Sequence, residues 1–125
     1  MFNLSEFISF VYESQVQSKL FHYQTTSYSQ QVALGEFYDE FYEITDSIIE
    51  NLAERYGRPV MNEEDQIMSI DNISEVDMDS WIESMENYFQ DVKNDLDPIT
   101  DSDVISKLDE VFNTISSLKF FFSLS

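Results

Sequence analysis

The sequence predicts an all-α bundle of four helices joined by two short turns and one long link. Glycine and proline are scarce, two of each in 125 residues, so little interrupts a helix. Apolar side chains recur at steps of three and four along most of the chain. Eleven Phe and seven Tyr in a 42% apolar composition supply enough core for one domain, residues 1–125.

The first helix is expected over 5–25, with Leu4, Ile8, Val11, Gln15, Ser18 and His22 along one face. Thr25-Thr26-Ser27 breaks it, and Ser27 with Gln30 reads as a capping box that opens a second helix. That helix spans 28–56, carries Leu34, Phe37, Phe41, Ile44, Ile48 and Leu52, and stops at Gly57 with Pro59 beyond. Residues 58–78 read as the long link, in which Ile67, Ile70 and Ile73 suggest a short helix. A third helix, 79–96, presents Trp81, Met85, Tyr88, Phe89, Val92 and Leu96. Asp97-Pro98 ends it, because the residue before proline resists the α region. Thr100 is expected to cap a fourth helix, 101–122, bearing Val104, Leu108, Val111, Ile115, Leu118 and Phe122. Short links make each pair of helices an antiparallel hairpin, and the long one can cross back along the bundle. An up–down bundle with an unattached middle loop is the alternative.

Charge and composition exclude much. No cysteine means no disulfide, thiolate metal site or cysteine nucleophile, and one histidine cannot build a three-histidine zinc site. A net charge of −19 argues against direct contact with a nucleic-acid backbone. Met1-Phe2-Asn3-Leu4-Ser5-Glu6 has no basic targeting region, and no apolar run reaches bilayer length, so a cytoplasmic protein without membrane contact is expected. No phosphate loop, nucleophile elbow or catalytic triad is legible.

The second helix carries another stripe: Gln31, Gly35, Asp39, Tyr42, Asp46, Glu50. Asp46 and Glu50 lie one turn apart, a spacing that suits a divalent first-row metal if a histidine faces them and that is also common on solvated helices. The run His22-Tyr23-Gln24-Thr25-Thr26-Ser27-Tyr28-Ser29-Gln30-Gln31, followed by Ala33-Leu34-Gly35-Glu36-Phe37-Tyr38-Asp39 and Asp46-x-x-x-Glu50, resembles the Dps branch of the ferritin-like proteins. It is most similar to a small group of these found in phage genomes. The resemblance is specific over 20–57 and general, helix for helix, elsewhere. It implies a ferritin-like four-helix bundle with a ferroxidase site shared by two subunits, built from two histidines of one chain and an Asp and a Glu of the other. His22, Asp46 and Glu50 match that set; Gln31 stands where the second histidine belongs, and Gly35 near where many members carry a further Asp.

Helix geometry bears on the shared site independently. The turn near residue 26 sets His22 level with Gln31, whereas Asp46 lies about 22 Å further along the axis at 1.5 Å per residue. Two copies antiparallel about a dyad near Asp39 and Glu40 bring Gln31 of one level with Asp46 and Glu50 of the other. Metal binding, with iron or a similar ion, therefore requires a homodimer or larger homo-oligomer, and Phe7, Phe10, Tyr12 and Phe21 are expected to put surplus aromatic surface on the first helix. The competing feature is charge: residues 61–110 hold sixteen Asp and Glu against two Lys. Such a surface is expected to solubilise the chain, or to engage a basic host or viral protein in the host cytoplasm without catalysis. The basic N-terminal tail with which some Dps proteins hold DNA has no counterpart here.

Overall fold

The computed structural model describes residues 1–124, in which four α-helices and two short 3-10 turns occur and no strand. Helix α1 covers Leu4–Gln24, α2 Tyr28–Tyr56, α3 Met78–Asp95 and α4 Ser102–Ser123. The boundaries follow local chemistry. Asn3 accepts the Glu6 N–H to start α1. Ser27 accepts the Gln30 N–H to start α2, but the Gln30 side chain accepts from the Thr25 hydroxyl rather than closing a capping box. Gly57 ends α2 at φ 95°, a left-handed conformation that a side chain would strain. After α3, the Asp97 carboxylate accepts the N–H groups of Ile99 and Thr100. The residue at the α4 N-cap is Asp101, not the expected Thr100, because the first bond of the helix runs from the Ile105 N–H to the Asp101 carbonyl.

Aromatic rings set how the helices meet. Phe7 lies against Phe89 with ring centres 6.1 Å apart, and Phe21 against Trp81 at 5.1 Å, so α1 and α3 run antiparallel. Arg55 reaches Asp101 at one end of the α2–α4 pair, and Lys107 reaches Ser47 nearer its middle, so these too are antiparallel. Phe7, Val11, Phe21, Phe41, Ile48, Ile82, Phe89, Leu108 and Ile115 are almost wholly enclosed. Trp81 is a packing residue, edge-on to Phe21 and Phe37. The polar members of the α1 stripe are satisfied: Gln15 donates to the Thr45 hydroxyl at 3.1 Å, and Ser18 donates to the Gln15 carbonyl.

Two expectations need correction. The aromatic surplus assigned to α1 is consumed within the chain: Phe7 and Phe21 are fully buried and Phe10 stacks on Tyr88 at 3.8 Å, which leaves Tyr12 exposed. Ile67, Ile70 and Ile73 do not share a helix either. The 3-10 turns are Glu63–Gln66 and Ile73–Glu75, and Ile67 and Ile70 are exposed between them. Helix α1 holds the backbone here. Ser5 accepts the Asn62 N–H, Gln17 both donates to and accepts from the backbone of Asp71, and Gln24 accepts the Ile73 N–H. Those bonds engage groups that a helix would use for itself, and they lay the link lengthwise along α1.

Candidate functional site

His22, in the last turn of α1, sits across from the start of α2. Its Nδ1 lies 2.6 Å from the Gln31 carbonyl oxygen. A carbonyl only accepts, so Nδ1 is the donor, and the tautomer this selects places the acceptor nitrogen at Nε2. The close approach depends on Gly35: a Cβ there would stand 3.0 Å from His22 Cε1 and 3.1 Å from Nδ1. That contact explains a glycine inside a 29-residue helix. Replacing a helical glycine by alanine normally stabilises by about 1 kcal/mol. With His22 present, Gly35→Ala should lose that gain to the crowded ring, and in a His22→Ala background it should recover it. Urea unfolding of the four proteins in this cycle should show a coupling of about 0.5–1 kcal/mol; additive effects would mean that the ring moves aside freely.

The remaining metal candidates lie elsewhere. Asp39, Asp46 and Glu50 are exposed on α2, Gln31 is half-buried beside His22, and among the described residues of this chain no three His, Asp or Glu side chains gather as a metal site. His22 and Gln31 are thus brought together, while Asp46 and Glu50 stay apart from them. Tyr38 and Tyr42 stack at 6.0 Å, and the Lys19 ammonium lies 4.7 Å from the Tyr38 ring centre, an ordinary cation–π contact.

The acidic surface has a definite location. Along α3, Asp79, Glu83, Asp91 and Asp95 are exposed, flanked by Glu75 and Asp77 of the link and by Asp109 of α4. The cationic groups neutralise part of it, and the N-terminal ammonium lies 3.7 Å from Asp95. Arg55 is held by Asp101 and Asp103, Lys93 by Asp109, and Lys119 by Glu86; Lys107 donates to Ser47, and Lys19 rests on tyrosine rings. In the cleft between α1, α3 and the link, partial burial and the nearby Asp71 charge push the Glu13 carboxyl above its ordinary range.

Sequence reasoning missed one polar cluster. Asp101, 1% exposed, accepts from Arg55 at 2.7 Å, from the Tyr56 hydroxyl at 3.3 Å and from the Asp97 N–H at 3.0 Å. It joins the end of α2 to the start of α4. The available signal was Arg55-Tyr56 at a helix end in a chain with few cations, opposite the Asp97-Pro98-Ile99-Thr100-Asp101 turn.

No described helix is long and apolar enough to cross a membrane. No curated protein and no solved structure matches the chain. A family model does match over residues 22–121, from the histidine at the end of α1 almost to the end of α4; its description is a family of unknown function, DUF5856. The chain belongs to that family.

Proposed function

We propose that this protein is a ferritin-like bundle of the Dps type that acts without catalysis, binding a basic protein partner through its acidic surface. The observation that carries the reading is the exposed row of carboxylates on α3, left in excess because most of the basic side chains are already engaged. Exposed carboxylates concentrated on one helix give a salt-dependent field that steers a cationic partner and repels polyanions. The ferritin-like topology is supported by the link lying along α1 and by antiparallel α1–α3 and α2–α4 neighbours, the order expected when one long crossover joins two hairpins. The Dps-like run over 20–57 suggests a phage origin, and a host or viral protein in the host cytoplasm as the partner. The test is capture from host extract at low salt, comparing the native chain with an Asp79→Asn, Glu83→Gln, Asp91→Asn, Asp95→Asn variant. A specific protein retained by the first and lost by the second supports the reading; identical recovery from both rejects it.

The His22 corner favours a second reading. A ring whose Nδ1–H is committed to a carbonyl is in the state that metal-bound histidines adopt, with Nε2 as the ligand atom. In a homodimer, His22 and the weaker amide donor Gln31 of one chain would hold iron, or another divalent first-row ion, with Asp46 and Glu50 of the second; Asp39 lies near the proposed dyad. Iron would be the substrate of such a site, each Fe²⁺ giving one electron to dissolved dioxygen to become Fe³⁺. Anaerobic Fe²⁺ titration should then saturate at one or two ions per chain, and His22→Ala or Asp46→Asn with Glu50→Gln should abolish binding. Mixing the two variants should restore a fraction of the sites, because a heterodimer keeps one intact set. No restoration after confirmed subunit exchange rejects the shared site.

A further inference from the structure

The cleft between α1, α3 and the link has a volume of about 120 Å³. Met85, 1% exposed, forms its floor, and Phe10 and Trp81 stand at its sides. Both rings are fixed by other contacts: Phe10 stacks on Tyr88 at 3.8 Å, and Trp81 is edge-on to Phe21. Gln17 holds the link side in place, donating to the Asp71 carbonyl and accepting the Asp71 N–H, each at 2.8 Å. The walls are therefore set before anything enters.

The polar groups of the cleft lack partners. Ser14 is 5% exposed, yet its hydroxyl makes no hydrogen bond among the described residues. Ser18 and Thr114, also buried in helices, return theirs to a carbonyl three residues earlier. No unpaired side-chain nitrogen or oxygen among the described residues is sealed from solvent. The little surface that Ser14 retains thus includes its oxygen, which opens into the cleft that Ser14 lines. A hydroxyl so enclosed calls for a partner from outside the chain. The Glu13 and Asp71 carboxylates line the same cleft, and no cation among the described residues pairs with either. Burial and the uncompensated Asp71 charge are what raise the Glu13 carboxyl.

These groups select the chemistry of a ligand. Carboxylates only accept, and Ser84 at the rim has committed its proton to the Trp81 carbonyl, so the entering group must bring N–H donors and positive charge. A hard metal ion needs about six oxygen ligands, and Phe10, Trp81 and Met85 supply none. An ammonium or guanidinium on an aliphatic stem uses both halves of the cleft, its charge on the carboxylates and its stem on the rings. We propose that the cleft binds one organic cation, a primary ammonium or guanidinium group, held by Glu13, Asp71 and the Ser14 hydroxyl against the Trp81 ring. Free amines and the lysine or arginine side chains of a protein present the same chemistry. None of the exposed α3 carboxylates takes part, so loss of the acidic-surface reading would leave this site intact.

Trp81 is the one tryptophan of the chain and reports on the cleft directly. Titration with n-butylammonium and with acetyl-lysine methylamide, each singly charged, is followed at constant ionic strength by Trp81 fluorescence and by its indole N–H resonance. Saturation at one molecule per chain is expected, with a Kd on the order of 1 mM for so small a ligand. Glu13→Gln and Asp71→Asn break no hydrogen bond of the fold. Each should weaken binding about tenfold, the worth of one hydrogen bond to a charged group. Ser14→Ala should weaken it about threefold. Glu40→Gln with Glu43→Gln, at exposed positions of α2, should change nothing. Tighter binding of butylammonium assigns the cleft to a free amine, and tighter binding of the capped lysine assigns it to a protein side chain. No saturable change in either signal overturns the proposal. An equal response to Na⁺ or Mg²⁺, or an equal loss in the α2 variant, also overturns it, because either reduces the site to a general acidic field.

Discussion

Replacing Phe89 with alanine should destabilise the fold by about 3–5 kcal/mol, the range for deleting a fully enclosed phenyl ring. Phe89 is 0% exposed and is the hub of the aromatic core. Its ring centre lies 6.1 Å from Phe7 and 5.6 Å from Phe10 on α1, 5.8 Å from Phe41 on α2, and 5.6 Å from Tyr88 beside it. Deletion therefore opens a void where three helices meet, and the rings around it are too rigid to refill it. Domains are stable by about 5–15 kcal/mol, so the variant should sit near the edge of folding. Urea denaturation measures this directly, with Phe89→Leu, which keeps most of the volume, as the milder control. A loss below about 1.5 kcal/mol would mean that Phe10 and Tyr88 collapse into the space.

The same aromatic network separates what could be read in the sequence from what could not. Helix positions were legible because periodicity and caps are local: Ser27 caps α2 and Gly57 ends it as their residue types demand. The side on which α1 aromatics are spent was not legible. Phe10 is absorbed by Tyr88, seventy-eight residues away, and no local pattern encodes that pairing. The link was misread for a related reason. Its three isoleucines look helical in isolation, but Gln17 and Gln24 of α1 bind the backbone of Asp71 and Ile73. In the candidate site, the level placement of His22 and Gln31 followed from the short turn alone. The use of Gly35 did not, since a missing side chain explains itself once the His22 ring is seen lying on it.

Removing the Asp101 carboxylate should be the most damaging change among the polar residues. Asp101→Ala takes the acceptor from Arg55, the Tyr56 hydroxyl and the Asp97 N–H together, and hydrogen bonds to a buried charge put the expected loss at about 2–3 kcal/mol. Asp101→Asn keeps the shape but not the charge opposite Arg55, and should fall between this variant and the native chain. By contrast, Lys93→Ala, which breaks the exposed pair with Asp109 at 3.0 Å, should cost no more than about 1 kcal/mol. Acid titration should find the same cluster. The Arg55 guanidinium holds Asp103 below the ordinary carboxylate range, and the N–H groups of Thr100 and Ile99 do the same for Asp97. A carboxyl depressed in the folded state contributes stability that is fully present above its unfolded pKa, about 3.9. That contribution is lost as pH falls below this value toward the folded pKa. Asp97→Asn and Asp103→Asn should each flatten the acid limb of the stability curve while leaving its dependence near neutrality unchanged. If both variants reproduce the native acid limb, the α2–α4 junction is held by packing, and the ion pairs beside Asp101 are incidental to it.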